Sequence, residues 1–243
     1  MPNIEPEPTV GNEAFAASGA LRPWQAVTVG SGLLLHAAST LRTEPAALQA
    51  DFAALDASVG PDGRNFLASD GSWCAIALVE RSRPLSGALF SSGAATPALP
   101  YMPTVRALLS RANWTVLSCY VLRQPPHGTL AWHFDPQALH LQECRLLVPV
   151  QAPDAAVTLI GHEAATYPVG TGWTGDFSFP HQVENATDAQ RVVLAIDLLC
   201  GPEIRRLLPP ALADAASLRR ELAREACRRL LRWRAREGLG NPG

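Results

Sequence analysis

The segment WTVLSCYVLRQPPHGTLAWHFDPQALHLQECRLLVPVQAPDAAVTLI, residues 114–160, breaks into four short runs. WTVLSCYVLR (114–123), GTLAWHFD (128–135), CRLLVPVQ (144–151) and AVTLI (156–160) are rich in β-branched and aromatic residues. Pro, Gly and Asp interrupt them at QPPHG and APD, where the chain has to turn. The pattern continues through ATYPV (165–169), GWTGDFSF (172–179) and RVVLAIDLL (191–199). Six or seven short strands at this spacing predict an antiparallel β-sandwich or barrel.

Outside this block the character changes. EPAALQADFAALDASVG (44–60) places Leu48, Phe52 and Leu55 at helical spacing, and Gly60 with Pro61 ends the run. WCAIALVE (73–80) reads as a strand, GALFSSGAATPALPYMP (87–103) as loop and TVRALLSRA (104–112) as a short helix. Residues 1–20 read as a poorly ordered lead-in. SLRRELAREACRRLLRWRAREG (217–238) is an amphipathic helix with eight Arg and three Glu, and Leu218, Leu222, Cys227, Leu230 and Trp233 fall near one face. The expected division is a support region over 1–84, a catalytic core over 85–200 and a basic helical tail over 201–243.

Composition narrows the function classes. The 21 Pro and 18 Gly suit a turn-rich β protein, and a net charge of −2 gives no general attraction to nucleic acid or membrane. There is no Lys; all twenty basic residues are Arg. Cys74, Cys119, Cys144, Cys200 and Cys227 are scattered without a paired spacing, as expected for reduced thiols in a cytoplasmic protein. The acidic, Pro-rich N-terminus does not read as a signal peptide, and no apolar run approaches membrane-spanning length.

Within WHFD, His133 and Asp135 are two apart on a strand, so their side chains share a side. Two histidines and one carboxylate on one face of an ion make a non-haem iron site with positions left open for reactants. The third ligand then has to come from another strand, and His181 after GWTGDFSF is the candidate. Arg191 opens the next strand ten residues later, and its planar fork suits a carboxylate. Arg145 stands in an otherwise apolar strand, where a cation is costly unless an anion pairs with it.

These segments, LPYMP, WHFD, CRLLVPV and GTGWTGDFSFPHQVENATDAQRVVLAIDL, resemble in content and order the aspartyl/asparaginyl β-hydroxylase family of Fe(II)/2-oxoglutarate dioxygenases. The bacterial branch that includes the proline cis-hydroxylases is the nearer match, over about residues 85–200. The resemblance implies a double-stranded β-helix (jelly-roll, cupin-like) core with flanking helices and a C-terminal helix. It implies His133, Asp135 and His181 as iron ligands, with Fe(II), 2-oxoglutarate and O2 as cofactor and cosubstrates. It further implies Arg191 as the anchor of the far carboxylate of 2-oxoglutarate and Arg145 as a second contact to a carboxylate. Trp173 matches a packing residue. Leu147 departs from the His that many relatives carry there, and Asp135 departs from the animal branch, which lacks the carboxylate.

The expected activity is hydroxylation of an unactivated C–H of an amino acid in natural-product biosynthesis. The amino acid is free, tethered to a carrier protein or embedded in a peptide. The alternatives are desaturation, epoxidation or cyclisation by the same chemistry, and a non-catalytic cupin-like binding or sensor module. The basic tail suits an acidic carrier protein. His36, His127, His140 and His162 read as surface or loop histidines, and Trp132 is expected to point away from the ligand face.

Overall fold

The computed structural model describes residues 21–59, 66–67, 73–82, 92–111 and 113–239. The expected lead-in over 1–20 and the Gly60-Pro61 stop lie outside the described residues. In chain order the elements are β1 (His36–Arg42), α1 (Pro45–Val59), β2 (Phe66–Leu67), β3 (Cys74–Glu80), β4 (Ala94–Ala95), α2 (Pro103–Arg111), β5 (Val116–Gln124) and β6 (Thr129–His133). There follow β7 (Glu143–Gln151), β8 (Ala156–Ile160), β9 (Glu163–Ala165), β10 (Thr171–Gly175), β11 (His181–Asn185), β12 (Arg191–Leu199), α3 (Pro202–Arg205) and α4 (Ala216–Arg236).

The strands form two antiparallel sheets. The larger has the order β1-β10-β7-β12-β5-β3-β2, with β4 on β3; the smaller has the order β6-β11-β8-β9. From β5 to β8 and again from β9 to β12, each successive strand crosses to the other sheet, which is the wiring of a jelly roll. β1 and β3 are members of the larger sheet, so the first eighty residues contribute strands to it directly.

Alternation along the central strands sorts residues between two cores. On β12, Val192, Leu194, Ile196 and Leu198 face the cluster that Leu48, Phe52 and Leu55 of α1 cover, while Val193 and Ala195 face the second cluster. On β7, Cys144, Leu146, Val148 and Val150 join the helix-covered side, and Leu147 joins the other. A strand buried on both faces has no polar alternation to display, which is why RVVLAIDLL and CRLLVPV read as nearly continuous apolar runs. The polar residues that do occur on the inner faces, Arg145, Asp197 and Arg191, are therefore conspicuous.

The tail differs in detail from its amphipathic reading. α4 buries Arg219, Ala223, Ala226 and Leu230, with Leu222 and Trp233 packed partly against the core, while Leu218 is exposed. The helix is rotated from the expected face because Arg219 has a buried counterion: its Nη1 donates to Asp176 at 3.0 Å, both side chains almost wholly enclosed. Two further strands have no apolar signature. β1 (HAASTLR) pairs with β10, and β11 (HQVEN) lies between β6 and β8. Their places are set by partners distant in sequence rather than by their own pattern. ATYPV contributes only Ala165 to a strand, at the end of β9, and GWTGDFSF leaves the sheet after Gly175. No helix among the described residues is long and apolar enough to cross a membrane.

Candidate active site

β6 and β11 bring the two histidines together by register alone. His133 and His181 are direct antiparallel partners, one ending its strand and the other opening it, with ring centroids 4.1 Å apart. Asp135 follows β6 by two residues, and its backbone N–H donates to the carbonyl of Phe177 at 2.9 Å. One donor atom from each of His133, Asp135 and His181 lies within 4.8 Å of the others, and His181 Nε2 is 3.9 Å from Asp135 Oδ2. Among the described residues this is the one cluster of His, Cys, Asp or Glu able to hold a metal ion.

The histidines are oriented from behind. His133 Nδ1 lies 2.8 Å from the carbonyl of Ala131, and His181 Nδ1 lies 3.1 Å from that of Phe179. A carbonyl only accepts, so each Nδ1 carries the proton and each Nε2 keeps its lone pair for the cluster. Burial pushes the pKa of His181 well below the ordinary value, and the neighbouring His133 pushes it further. Burial also lowers that of His133, with Asp135 opposing. Both imidazoles are thus neutral near pH 7, the state that ligates a metal.

Arg145 stands behind the carboxylate. Its Nη1 donates to Asp135 Oδ2 at 2.6 Å, and Nε and Nη2 donate to the two oxygens of Asp197 at 2.8 and 3.3 Å. Ser118 on β5 donates to Asp197 Oδ2 at 2.9 Å. Burial works against the charge on Arg145, but Asp197 and then Asp135 overcome it and hold its pKa above the ordinary value. The pairing that a mid-strand Arg demands is therefore met by two carboxylates, and Arg145 also lines the cavity.

Arg191 is in the opposite situation. Its Nη2 donates to Thr158 Oγ1 at 2.9 Å, and no carboxylate among the described residues pairs with it. Burial alone lowers its pKa to about 10. Arg191, Thr158, Leu147, Val193, His133 and His181 line one cleft with about 610 Å³ of empty space, its open mouth included. A largely covered guanidinium that lines a cavity beside a His/Asp/His cluster, without a carboxylate partner among the described residues, has the chemistry to accept an anion.

Other residues near the site in sequence or in space pack or pair away from the cluster. Trp132 turns away from the cluster and packs edge-on against Trp24 at 5.6 Å. Trp173 is buried, stacked on Tyr167. Asn185 is buried and closes the turn before β12, donating to the carbonyls of Pro125 and Ala189. His127 is exposed and pairs with Asp188. His140 lies in a turn, as a loop histidine, but is enclosed beside Asp176, whereas His36 is neither surface nor loop: it opens β1, its side chain largely covered, with Nδ1 2.7 Å from the Tyr167 hydroxyl. Asp197, Ser118 and Thr158 were missed. Asp197 had a signal, since it shares the inner face of β12 with Arg191 by period-two spacing. Ser118 and Thr158 had none.

The chemistry of this donor set matches what comparison of the sequence finds. The model of the aspartyl/asparaginyl β-hydroxylase family matches residues 37–200. No curated protein matches the sequence. Among solved structures, the chain is similar to an oxidoreductase of the 2OG-Fe(II) oxygenase family from Burkholderia pseudomallei (14% identity, 76% of this chain and 93% of that one, TM-score 0.45). It is also similar to AviO1 from Streptomyces viridochromogenes Tue57 (12% identity, 76% and 97%, TM-score 0.44). With the family model spanning most of the chain, from β1 to the end of β12, this protein belongs to the aspartyl/asparaginyl β-hydroxylase family of Fe(II)/2-oxoglutarate-dependent oxygenases.

Proposed function

We propose that the chain hydroxylates an unactivated C–H bond of an amino acid, with His133, Asp135 and His181 as the iron ligands and Arg191 as the anchor of 2-oxoglutarate. The observation that carries this reading is the uncompensated Arg191 guanidinium on the cavity that the three ligand residues share. When bound, iron and 2-oxoglutarate supply the O2-dependent decarboxylation to succinate and CO2 that drives insertion of one oxygen atom into a C–H bond.

The chain's own part is positioning. Two neutral imidazoles and one carboxylate occupy one side of the metal position and leave the other side to reactants. Arg191 and Thr158 fix the far carboxylate of the cosubstrate, so its 2-oxo acid end is held toward the ligand cluster. Leu122, Leu147, Val193 and Phe177 present apolar surface to the cavity, which limits water around the reacting bond. Arg145 retains two N–H groups beyond those given to Asp135 and Asp197, which supports a contact to a substrate carboxylate. On the outer side of α4, Arg220, Arg224, Arg228, Arg232 and Arg236 recur every fourth residue and are exposed, a spacing that supports delivery of the amino acid on an acidic carrier protein.

The test is an anaerobic titration of apoprotein with Fe(II) and 2-oxoglutarate, following the visible charge-transfer band of the chelate. A band in the parent, abolished in His181→Ala and requiring far more 2-oxoglutarate in Arg191→Ala, is the expected result. Its absence from folded parent protein refutes the assignment. Succinate release stimulated by an amino acid, with a product heavier by one oxygen, then identifies the substrate. A better response to a carrier-bound amino acid, lost when the Arg stripe is reversed to Glu, identifies the delivered form.

A further inference from the structure

Arg145 puts a positive charge within hydrogen-bonding distance of a carboxylate that the proposed function assigns to the metal. Taken alone, that neighbour works against metal binding. A cation beside Asp135 cancels much of the negative charge a divalent ion would seek, and it competes for the same lone pairs. The structure adds a second carboxylate on the far side. Asp197 receives two N–H bonds from the guanidinium, at Nε and Nη2, whereas Asp135 receives one. Asp197 is nearly inaccessible to solvent and is itself steadied by Ser118 at 2.9 Å. The row Asp135–Arg145–Asp197 thus carries one net negative charge, and its cation is committed more strongly to the inner end.

We infer that Asp197 is a positioning residue for the metal centre: acting through Arg145, with Ser118 behind it, it sets both the orientation and the effective charge of the Asp135 ligand. The three residues come from neighbouring strands in register. Asp197 is the direct partner of Ser118 on β5 and of Arg145 on β7, so the row is built into the central ladder rather than into a loop. Asp135, by contrast, follows the end of β6, held by its N–H to Phe177 and by Arg145. A ligand on a strand end gains its fixed rotation from the rigid sheet through this guanidinium. With Asp197 neutralised, the guanidinium keeps only Asp135 as an anionic partner, and the row loses its net negative charge.

The inference rests on the proposed ligand assignment, and the test separates the two. Co(II) is titrated anaerobically into metal-free parent, His181→Ala, Asp197→Asn, Asp197→Glu and Ser118→Ala proteins. The visible ligand-field spectrum and the metal affinity are recorded, with urea denaturation of each metal-free protein alongside. The expected result is stoichiometric binding in the parent and none in His181→Ala. Asp197→Asn should bind roughly ten- to a hundredfold more weakly, Ser118→Ala should fall between, and Asp197→Glu should recover part of the loss. A shifted Co(II) spectrum in Asp197→Asn, beyond any change in stability, marks the altered Asp135 ligand. Failure of the parent to bind Co(II) overturns the ligand assignment itself. Binding by the parent and equally tight binding, with an unchanged spectrum, by folded Asp197→Asn overturns the inference alone. If Asp197→Asn does not fold, Ser118→Ala decides: parent-like affinity refutes the relay, and a severalfold loss supports it.

Discussion

Arg191→Met should make the metal-free protein more stable and the loaded protein less so. The guanidinium is held in a largely apolar site with a single neutral partner, Thr158, and burial lowers its pKa to about 10. That descent from the ordinary guanidinium value corresponds to about 3 kcal/mol against the charged form. Water in the open cavity and the bond to Thr158 offset part of it, leaving about 1–2 kcal/mol to be gained when Met replaces Arg. At this chain length the gain raises Tm by roughly 2–8 °C. With both proteins loaded with Co(II), addition of 2-oxoglutarate at a hundred times its parent Kd should then stabilise the parent by about 2.7 kcal/mol and the variant hardly at all, so the two stabilities cross. Urea denaturation in chelator, repeated with metal and 2-oxoglutarate, measures both quantities. A metal-free variant less stable than the parent would show that Arg191 is compensated within the protein. Its site would then not be one built for an external anion.

Arg219→Met should destabilise by about 3–5 kcal/mol, because it takes the guanidinium from the buried Asp176 carboxylate and leaves it Ser178 and His140 alone, and a double replacement with Asp176→Asn should restore much of the loss in a denaturation cycle. Acid should weaken the fold through His36, whose pKa burial lowers to about 4. The folded value lies below the unfolded one, so the stability is fully present above about pH 6.5 and is lost as the pH falls toward 4. Roughly 2–3 kcal/mol is at stake after allowance for Glu163 at 3.6 Å, and stability measured across that range should be flatter in His36→Gln. Gly161→Ala should cost about 2–4 kcal/mol by thermal unfolding, since its φ is +54° and a Cβ would lie 2.6 Å from Thr28 Oγ1 and 3.0 Å from Leu35 Cδ1.

How much the sequence discloses depends on where each constraint acts. Strands β5, β7, β8 and β12 are legible because two-sided burial writes itself into consecutive residues as an apolar run. The candidate site is legible because WHFD sets His133 and Asp135 two residues apart, although the strand ends at His133 and Asp135 follows it, and because Arg145 and Arg191 interrupt apolar segments that have no local use for a charge. β11 was not legible: HQVEN has the composition of a loop, and it is a strand only because β6 and β8 present free edges on either side. The same holds for β1, whose small residues pair with β10 well over a hundred positions away.

The face of α4 shows the limit most directly. Leu218 looks like a core residue and is exposed, while Arg219 looks like a surface residue and is enclosed. The hydrophobic pattern of a helix assigns cost to each side chain as if it were buried alone. Arg219 is not: Asp176 takes one guanidinium N–H, and the carbonyls of Leu34, Ala211 and Asp214 take three more, so its desolvation is compensated by groups up to 185 positions distant. Asp176 precedes Phe177, whose carbonyl holds the Asp135 N–H and whose own N–H donates to Gln137. The helix that carries the solvent-facing Arg stripe is thereby tied to the loop that carries a proposed metal ligand. A charge that defeats the amphipathic reading of the tail is the same charge that connects the tail to the site.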